Sequence, residues 1–431
     1  MSSDAAAADK KGGRSFRAYW ALGALVLGIV AGSLSAGLPP PLHSAVVGTA
    51  GFIGTLWLNA LKMTVIPLVV ALLVVGIAKS AEAAHAGRVA GRSVLWIVII
   101  CTASAIFGTV MILLLTQLFP LPRETAAGLQ TALAGIESKT PASLPGIAEF
   151  FKGVIPDNVV SAAANGDILP LVVFSVLFAL ALGFISETGR RSIVTFFEAV
   201  GDALLVVITW VLWIAPLGVF SLALVVGSAA GGSAFAGLGH YIVLISIVGI
   251  LVTLAAYPLA ILIGRISPGE FVRAMIPPQA VAISTRSSLA TLPAMLETAR
   301  VLRMREEVAD VALPIAVALF RATGPAMNVA VPFYIAHWLG IQPTLAQIVA
   351  ATAVGAVMSY GAVSLPGEVT YISSIAPIAL ALGVPIAPLA LLVAVEMVPD
   401  IFRTVGNTSM DVALAAIVNR FEKPAENLPK T

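Results

Sequence analysis

Six polar side chains recur at helical intervals near the C-terminal end of the 431-residue chain, in a stretch otherwise composed mostly of Val, Ala, Ile, Leu and Met. They are Glu396, Asp400, Arg403, Thr404, Asn407 and Asp411. At about 100° per residue, this spacing places them on one helix face about 100° wide. Such a stripe is either a structural ion-pair seam or part of a functional site, and its spacing alone leaves both interpretations open.

Three more charged residues favour the functional interpretation. Arg286, Arg321 and Glu368 also lie in largely apolar parts of the chain. A charged side chain at the centre of a bilayer costs from about 2.5 to roughly 10 kcal/mol, so such a group usually faces a cavity or a partner. We therefore expect the stripe and these three residues to contribute to one site.

The composition predicts the elements that position these residues. The chain is 59% apolar and 11% charged, whereas a soluble domain is roughly 45–50% apolar and about 25% charged. This excludes an ordinary soluble enzyme and predicts an all-α integral membrane protein in a lipid bilayer. About eight transmembrane helices are predicted, near residues 18–38, 48–78, 90–120, 168–185, 192–228, 236–264, 310–338 and 385–419.

Two further apolar segments, near 270–297 and 344–376, are interrupted by Ser, Gly and Pro. If both are re-entrant hairpins, every basic cluster falls on the cytoplasmic side, as the positive-inside rule requires. Both termini are then cytoplasmic, with a tail at 1–17 and a single membrane domain at 18–431. Because each hairpin precedes a span and the two enter from opposite sides, they form an inverted repeat, which places a binding site near the midplane.

Other kinds of chemistry have little support. We find no phosphate-binding loop and no nucleophile motif, so neither ATP-driven pumping nor an enzymatic activity is predicted. The four histidines are not spaced as metal ligands, and the single cysteine, Cys101, lies in an apolar run. We expect no cofactor, no metal and no nucleic-acid partner.

At several stretches the chain resembles the dicarboxylate/amino acid:cation symporter family, which includes the glutamate transporters. The stretches Lys-Met-Thr-Val-Ile-Pro at 62–67 and Ile-Leu-Pro-Leu-Val-Val-Phe at 168–174 resemble its second and fourth helices. The stretch Thr-Arg-Ser-Ser-Leu-Ala-Thr-Leu-Pro at 285–293 is similar to its serine-rich hairpin tip. Most specific is 400–411, which resembles the family pattern D-x-x-R-T-x-x-N-x-x-x-D.

The resemblance implies a homotrimer in a plasma membrane, the inner membrane in a bacterium. A scaffold of about 18–78 and 168–228 would hold a mobile transport domain of about 90–120 and 236–419, which moves like an elevator. Asp400 would receive a substrate amino group and Arg403 a side-chain carboxylate. The other residues carried over to the substrate site are Arg286, Ser287, Ser288, Thr323, Thr404 and Asn407, with Gly361, Pro366 and Gly367 in the outer gate.

This chain departs from the family where sodium binds. The family's seventh helix carries Asn-Met-Asp-Gly-Thr, but the aligned stretch here is Arg-Ala-Thr-Gly-Pro at 321–325. We hypothesise that the Arg321 guanidinium replaces a sodium ion and pairs with Asp411. Glu368 and Glu396 are then candidates to carry a coupling proton, because burial favours the neutral form of a carboxyl group. A plain salt bridge from Glu368 to Arg321 or Arg286 is the alternative.

These observations predict a secondary symporter of a small anionic substrate, either an acidic amino acid or a C4-dicarboxylate. The coupling ion is expected to be H⁺ rather than Na⁺, with Arg321, Glu368, Glu396, Asn407 and Asp411 as the ion-coupling residues. Two alternatives remain at this stage: an anion-conducting channel, and a membrane sensor that keeps the fold without transport.

Overall fold

The computed structural model describes residues 20–85, 87–122, 155–359 and 367–422, and every regular element in these ranges is helical. The first helices are α1 Trp20–Ser35, α2 Pro40–His85, α3 Arg88–Leu118, α4 Val159–Asn165, α5 Ile168–Ala181, α6 Glu187–Trp213, α7 Ala215–Ala230 and α8 Ser233–Pro258. They are followed by α9 Pro268–Thr285, α10 Ser288–Val301, α11 Glu306–Leu319, α12 Thr323–Leu339, α13 Leu345–Met358, α14 Gly367–Leu382, α15 Leu389–Leu392 and α16 Met397–Phe421.

The helices have the length and composition of a membrane protein. Within the described ranges, five helical stretches are long and apolar enough to cross a bilayer, and five shorter apolar helices accompany them. A bilayer core about 30 Å thick requires roughly 20 residues per helical crossing. The predicted all-α class agrees with this architecture, while the number of crossings stays a prediction.

Three of the predicted spans are not continuous helices. The predicted span 192–228 is divided between α6 and α7, which meet at Ile214. The predicted span 310–338 is divided by residues 320–322, where Phe320 adopts an extended conformation. In the predicted span 385–419, a turn at 393–396 separates α15 from α16, so Glu396 lies immediately before the helix that carries the rest of the stripe.

One group of helices is organised around α2, which packs against α5, α6 and α7. Helix α1 joins this group through close backbone contact with α7. A Cβ atom added to Gly32 would lie 2.1 Å from the Leu224 carbonyl oxygen, and one added to Gly227 would lie 2.3 Å from that of Ile29. Only glycine permits this approach, because any side chain would overlap the neighbouring backbone.

A second group is organised around α16, which packs against α8, α9, α10 and α11, while α3 packs against α12. This group contains the two predicted hairpins. Helices α9 and α10 pack together and are joined by Arg286 and Ser287, and α13 packs against α14. The paired helices agree with the hairpins predicted near 270–297 and 344–376, although their re-entry into the bilayer stays a prediction.

Candidate functional site

Helix α16 holds its polar stripe inside the second helix group. Thr404, Asn407 and Asp411 are buried, and so is Glu396, which precedes the helix. The side chains of Arg403 and Asp400 keep 17% and 20% of their surface exposed. The partly accessible charged pair therefore lies toward the N-terminal end of the stripe, and Asp411 lies two to three helical turns further along.

The Arg403 guanidinium is engaged by three neighbours. Its Nη2 donates to Glu396 Oε1 at 2.6 Å, and its Nη1 donates to Asn328 Oδ1 on α12 at 2.6 Å. Its Nε lies 3.8 Å from Asp400 Oδ1. The planar guanidinium is therefore held by Asn328 of α12 and by two carboxylates near the start of α16, and its donors suit a carboxylate ligand.

The second oxygen of the Glu396 carboxylate is held by tyrosines. Tyr241 on α8 donates from its hydroxyl to Glu396 Oε2 at 2.9 Å, and the same hydroxyl lies 2.9 Å from that of Tyr371 on α14. Both tyrosines are buried. The hydrogen bonds thus connect α14, which follows the predicted outer gate, to Arg403 through Glu396.

The break between α11 and α12 is attached to the middle of the stripe. Asn407 Oδ1 accepts from the Thr323 backbone N–H at 3.0 Å and lies 2.7 Å from the Thr323 hydroxyl. Ser104 on α3 donates to the Ala322 carbonyl oxygen. Because Thr323 is the first residue of α12, its N–H has no partner within the helix, and Asn407 supplies one. These bonds fix the backbone that carries Arg321.

Asp411 is fully buried, and neither of its carboxylate oxygens has a hydrogen-bond partner among the described residues. The Arg321 guanidinium attracts it electrostatically. The Cys101 thiol on α3 interacts with the same carboxylate and hydrogen-bonds to the Arg321 backbone. A thiol is a poor ligand for a hard cation such as Na⁺. Of two possible positive charges beside Asp411, a sodium ion and the Arg321 guanidinium, the guanidinium therefore fits this position better.

The tip of the first hairpin contributes Arg286, Ser287 and Ser288. Arg286 ends α9 in the left-handed region with φ 48°, which is an uncommon conformation for a residue with a side chain. The Ser287 hydroxyl caps α10 by accepting from the Ala290 N–H at 3.3 Å, and Ser288 is buried. Arg286 attracts the Asp400 carboxylate electrostatically, which links this tip to the stripe.

The second hairpin is described only in part. Gly361 and Pro366 lie outside the described residues, so their predicted place in an outer gate is untested. Gly367 begins α14. Glu368 is in the first turn of the same helix, but its side chain is outside the described part of the chain. Its predicted role as a proton carrier, and the alternative salt bridge to Arg321 or Arg286, therefore remain predictions.

Three residues of this network were not predicted from the sequence. Asn328, Tyr241 and Tyr371 each lie in a predominantly apolar helix that also carries other polar side chains. The signal available in the sequence was the presence of a hydrogen-bonding group in a membrane segment, where an unsatisfied polar group is costly. That signal does not say which partner each group meets.

Comparison with known proteins places this arrangement in a family. A sequence model of the sodium:dicarboxylate symporter family matches residues 18–421. The proton/sodium-glutamate symport protein of Bacillus subtilis is 28% identical over 404 residues, which is 92% of this chain and 91% of that protein. The proton/glutamate-aspartate symporter of Escherichia coli is 27% identical over 94% of both chains. The C4-dicarboxylate transport protein of Laribacter hongkongensis is 25% identical, over 87% of this chain and 84% of that protein.

Proposed function

Because this chain belongs to the sodium:dicarboxylate symporter family, whose members are transporters and not enzymes, we propose that it carries acidic amino acids or C4-dicarboxylates together with protons. The observation that carries the proposal is the position of Arg403. Its partly exposed guanidinium is held by Glu396 and Asn328 and lies near Asp400. A substrate carboxylate competes with Glu396 for the same donors.

Protonation of Glu396 couples the substrate to a proton. In the empty carrier, the Glu396 carboxylate balances the charge of Arg403. When Glu396 takes up a proton, it no longer balances that charge, and a substrate carboxylate takes its place on the guanidinium. The local charge is therefore balanced in both the empty and the loaded states, which matters because an unpaired buried charge costs several kcal/mol. The Tyr241 hydroxyl hydrogen-bonds to Glu396 in either state.

Arg321 takes the place of a sodium ion in this proposal. It lies at the break between α11 and α12 and attracts the buried Asp411. A fixed guanidinium compensates this carboxylate throughout the cycle, so the site needs no sodium ion to do so. Transport is then independent of sodium at this position, although relatives are named as proton/sodium symport proteins.

The larger-scale parts of the proposal rest on the family and on how the helices pack. The transport domain comprises about 90–120 and 236–419, and it moves against a scaffold of about 18–78 and 168–228 like an elevator. The protein forms a homotrimer in the plasma membrane, the inner membrane of a bacterium, with both termini in the cytoplasm. Gly361 to Gly367, within the second hairpin, form the outer gate, and Glu368 is a second candidate proton carrier.

The test is uptake of radiolabelled succinate, malate, aspartate and glutamate into proteoliposomes of the purified protein. An inward proton gradient and an inward sodium gradient are imposed in separate runs. We expect saturable accumulation of at least one of these substrates with the proton gradient, and no added effect of sodium. Accumulation driven by sodium alone would contradict the role of Arg321, and current without saturable uptake would indicate a channel.

A further inference from the structure

Two tyrosines extend the hydrogen bonds of Glu396 to α14. Tyr241 on α8 donates to Glu396 Oε2 at 2.9 Å, and the Tyr371 hydroxyl on α14 lies 2.9 Å from that of Tyr241. The other carboxylate oxygen, Glu396 Oε1, accepts from Arg403 Nη2 at 2.6 Å. Both tyrosines and Glu396 are buried. A hydrogen-bonded row therefore leads from the stripe to α14, and its members are Arg403, Glu396, Tyr241 and Tyr371.

The number of available protons fixes the direction of each bond in this row. A phenol has one proton to donate, and an ionised carboxylate can only accept. Because Tyr241 donates its proton to Glu396, the proton between the two tyrosines comes from Tyr371. Both hydroxyl protons then point toward the carboxylate. Hydrogen bonds to a charged acceptor are roughly twice as strong as neutral ones, and bonds in a chain strengthen one another.

Proton uptake by Glu396 reverses the order of these bonds. A guanidinium only donates, so a proton on Oε1 would find no acceptor on Arg403, whereas a proton on Oε2 faces the Tyr241 oxygen. Tyr241 then donates to Tyr371, and the Tyr371 proton loses its acceptor in the row. A buried donor without an acceptor is costly. The bond between α8 and α14 is therefore favourable while Glu396 is ionised and is weakened when Glu396 is protonated.

We infer that Tyr371 is a positioning residue through which the charge of Glu396 holds α14 in place. Helix α14 packs against α12 and α13, and it begins at Gly367, at the end of the predicted outer gate. While Glu396 is ionised, as in the empty carrier, Tyr371 ties α14 to α8. When Glu396 is protonated, this tie weakens and α14 moves more freely. The inference rests on the proposed coupling through Glu396, and it adds the route by which the proton acts on the second hairpin.

The experiment measures backbone hydrogen exchange in residues 371–382 of the purified protein without substrate. It is run at about pH 5 and about pH 8, a range in which many buried carboxyl groups titrate, and is corrected for the intrinsic effect of pH on exchange. The charged groups facing Glu396 are Arg403 and Asp400 of α16. We expect these amides of the wild type to be at least about threefold better protected at the higher pH, because protection reports the free energy of local opening.

Two variants assign this difference to the row. Tyr371→Phe removes only the hydroxyl, so protection should be low at both pH values. Glu396→Gln is neutral at both pH values and should behave in the same way. Combining the two substitutions should lower protection little further, because both act on one set of hydrogen bonds.

Tyr257→Phe is the matched control. Tyr257 is also on α8, and its hydroxyl accepts from Gln279 Nε2 at 3.0 Å instead of joining the row. This variant should keep the wild-type difference between the two pH values. Loss of the difference here would overturn the inference, since removal of any tyrosine hydroxyl would then suffice.

The inference is also overturned if wild-type protection is equal at both pH values, or if Tyr371→Phe or Glu396→Gln keeps the wild-type difference. Hydrogen exchange is measured without transport, so the two proposals can fail separately. Proton-driven uptake without the expected protection pattern would refute the role of Tyr371 alone. The expected pattern in a protein that shows no proton-driven uptake would support the role of Tyr371 and refute the proposed function.

Discussion

At the scale of single residues, the proposed mechanism depends on competition for one guanidinium. Arg403 donates to the Glu396 carboxylate and to the Asn328 amide oxygen at the same distance of 2.6 Å. One of these acceptors is charged and can be neutralised by a proton, whereas the other is neutral at every pH. In the proposed mechanism, this difference decides which acceptor the substrate carboxylate replaces: it replaces Glu396, and Asn328 keeps its bond.

A change at Asn328 tests this division of roles. Asn328→Asp keeps the shape of the side chain but gives Arg403 another permanent carboxylate. We expect KM for the dicarboxylate to rise by about tenfold with a smaller effect on kcat, because the new charge repels the substrate and holds the guanidinium. The measurement is the concentration dependence of proton-driven uptake.

The control is the same substitution at Asn419. This residue also accepts hydrogen bonds from an arginine, Arg305, at 3.1 and 3.2 Å, but it lies near the C-terminal end of α16, away from the site. Asn419→Asp should leave KM unchanged. An unaltered KM in Asn328→Asp would show that Asn328 does not contact the arginine during substrate binding.

The sequence predicted the charged members of the site better than their neutral partners. Asp400, Arg403 and Asp411 stand at helical spacing within one segment, so a local pattern is sufficient to place them on one face. Asn328 and Tyr241 meet this stripe from helices that are distant in sequence. Only tertiary packing brings them together, and a single sequence contains no local signal for that packing.

At the scale of elements, the interrupted helices could have been predicted more fully. Pro216, Pro325 and Pro399 are the second or third residues of α7, α12 and α16. Proline is tolerated in the first turn of a helix, where its missing N–H would have no partner within the helix. In a hydropathy profile, the two helices on either side of each break look like one long apolar segment. The prolines mark where the second helix of each pair begins.

Contact between α3 and α12 fixes the break that carries Arg321. A Cβ atom added to Gly108 on α3 would lie 2.4 Å from the Ala326 Cα atom. We expect Gly108→Ala to destabilise the protein by about 1–3 kcal/mol, because the overlapping atoms belong to the backbone and cannot rotate away. Thermal unfolding in detergent should show a lower Tm.

Gly239→Ala is the control for this change. Gly239 lies in α8, and a Cβ atom there would meet nothing within 4 Å. Alanine is favoured over glycine in a helix by up to about 1 kcal/mol, so Tm should stay the same or rise. Equal Tm values for the wild type and Gly108→Ala would mean that α3 and α12 do not need their close approach.

At the scale of the whole molecule, the two helix groups meet across apolar surfaces. A crevice between them is lined by Leu25, Ile29, Ala223 and Val226 of α1 and α7, by Ala234, Leu238 and Trp338 of the second group, and by Leu391 of α15, which lies in the proposed transport domain. Apolar contacts have no fixed partners and can re-form in a new register, unlike hydrogen-bonded ones. This interface therefore suits the sliding movement proposed for the transport domain. A homotrimer is formed by contacts between separate chains, so its assembly stays a prediction.

A cross-link between the two groups tests that movement. Val226→Cys and Leu391→Cys place thiols on opposite sides of the crevice, while the native Cys101 is fully buried. We expect a thiol-specific bifunctional reagent to stop uptake in the double variant. The control pair, Ile29→Cys with Val226→Cys, lies within α1 and α7 and should retain uptake after the same treatment. Full uptake in the cross-linked Val226–Leu391 pair would contradict movement of one group against the other.

The most direct measurement of the central claim compares net uptake with exchange in Glu396→Gln. The wild type should accumulate dicarboxylate with a proton gradient and should also exchange internal for external substrate. Glu396→Gln should keep exchange, because its neutral side chain resembles the protonated state, but it should lose accumulation, because the empty carrier would have to move Arg403 without a compensating charge. Accumulation by Glu396→Gln at the wild-type level would contradict coupling through the Arg403–Glu396 pair.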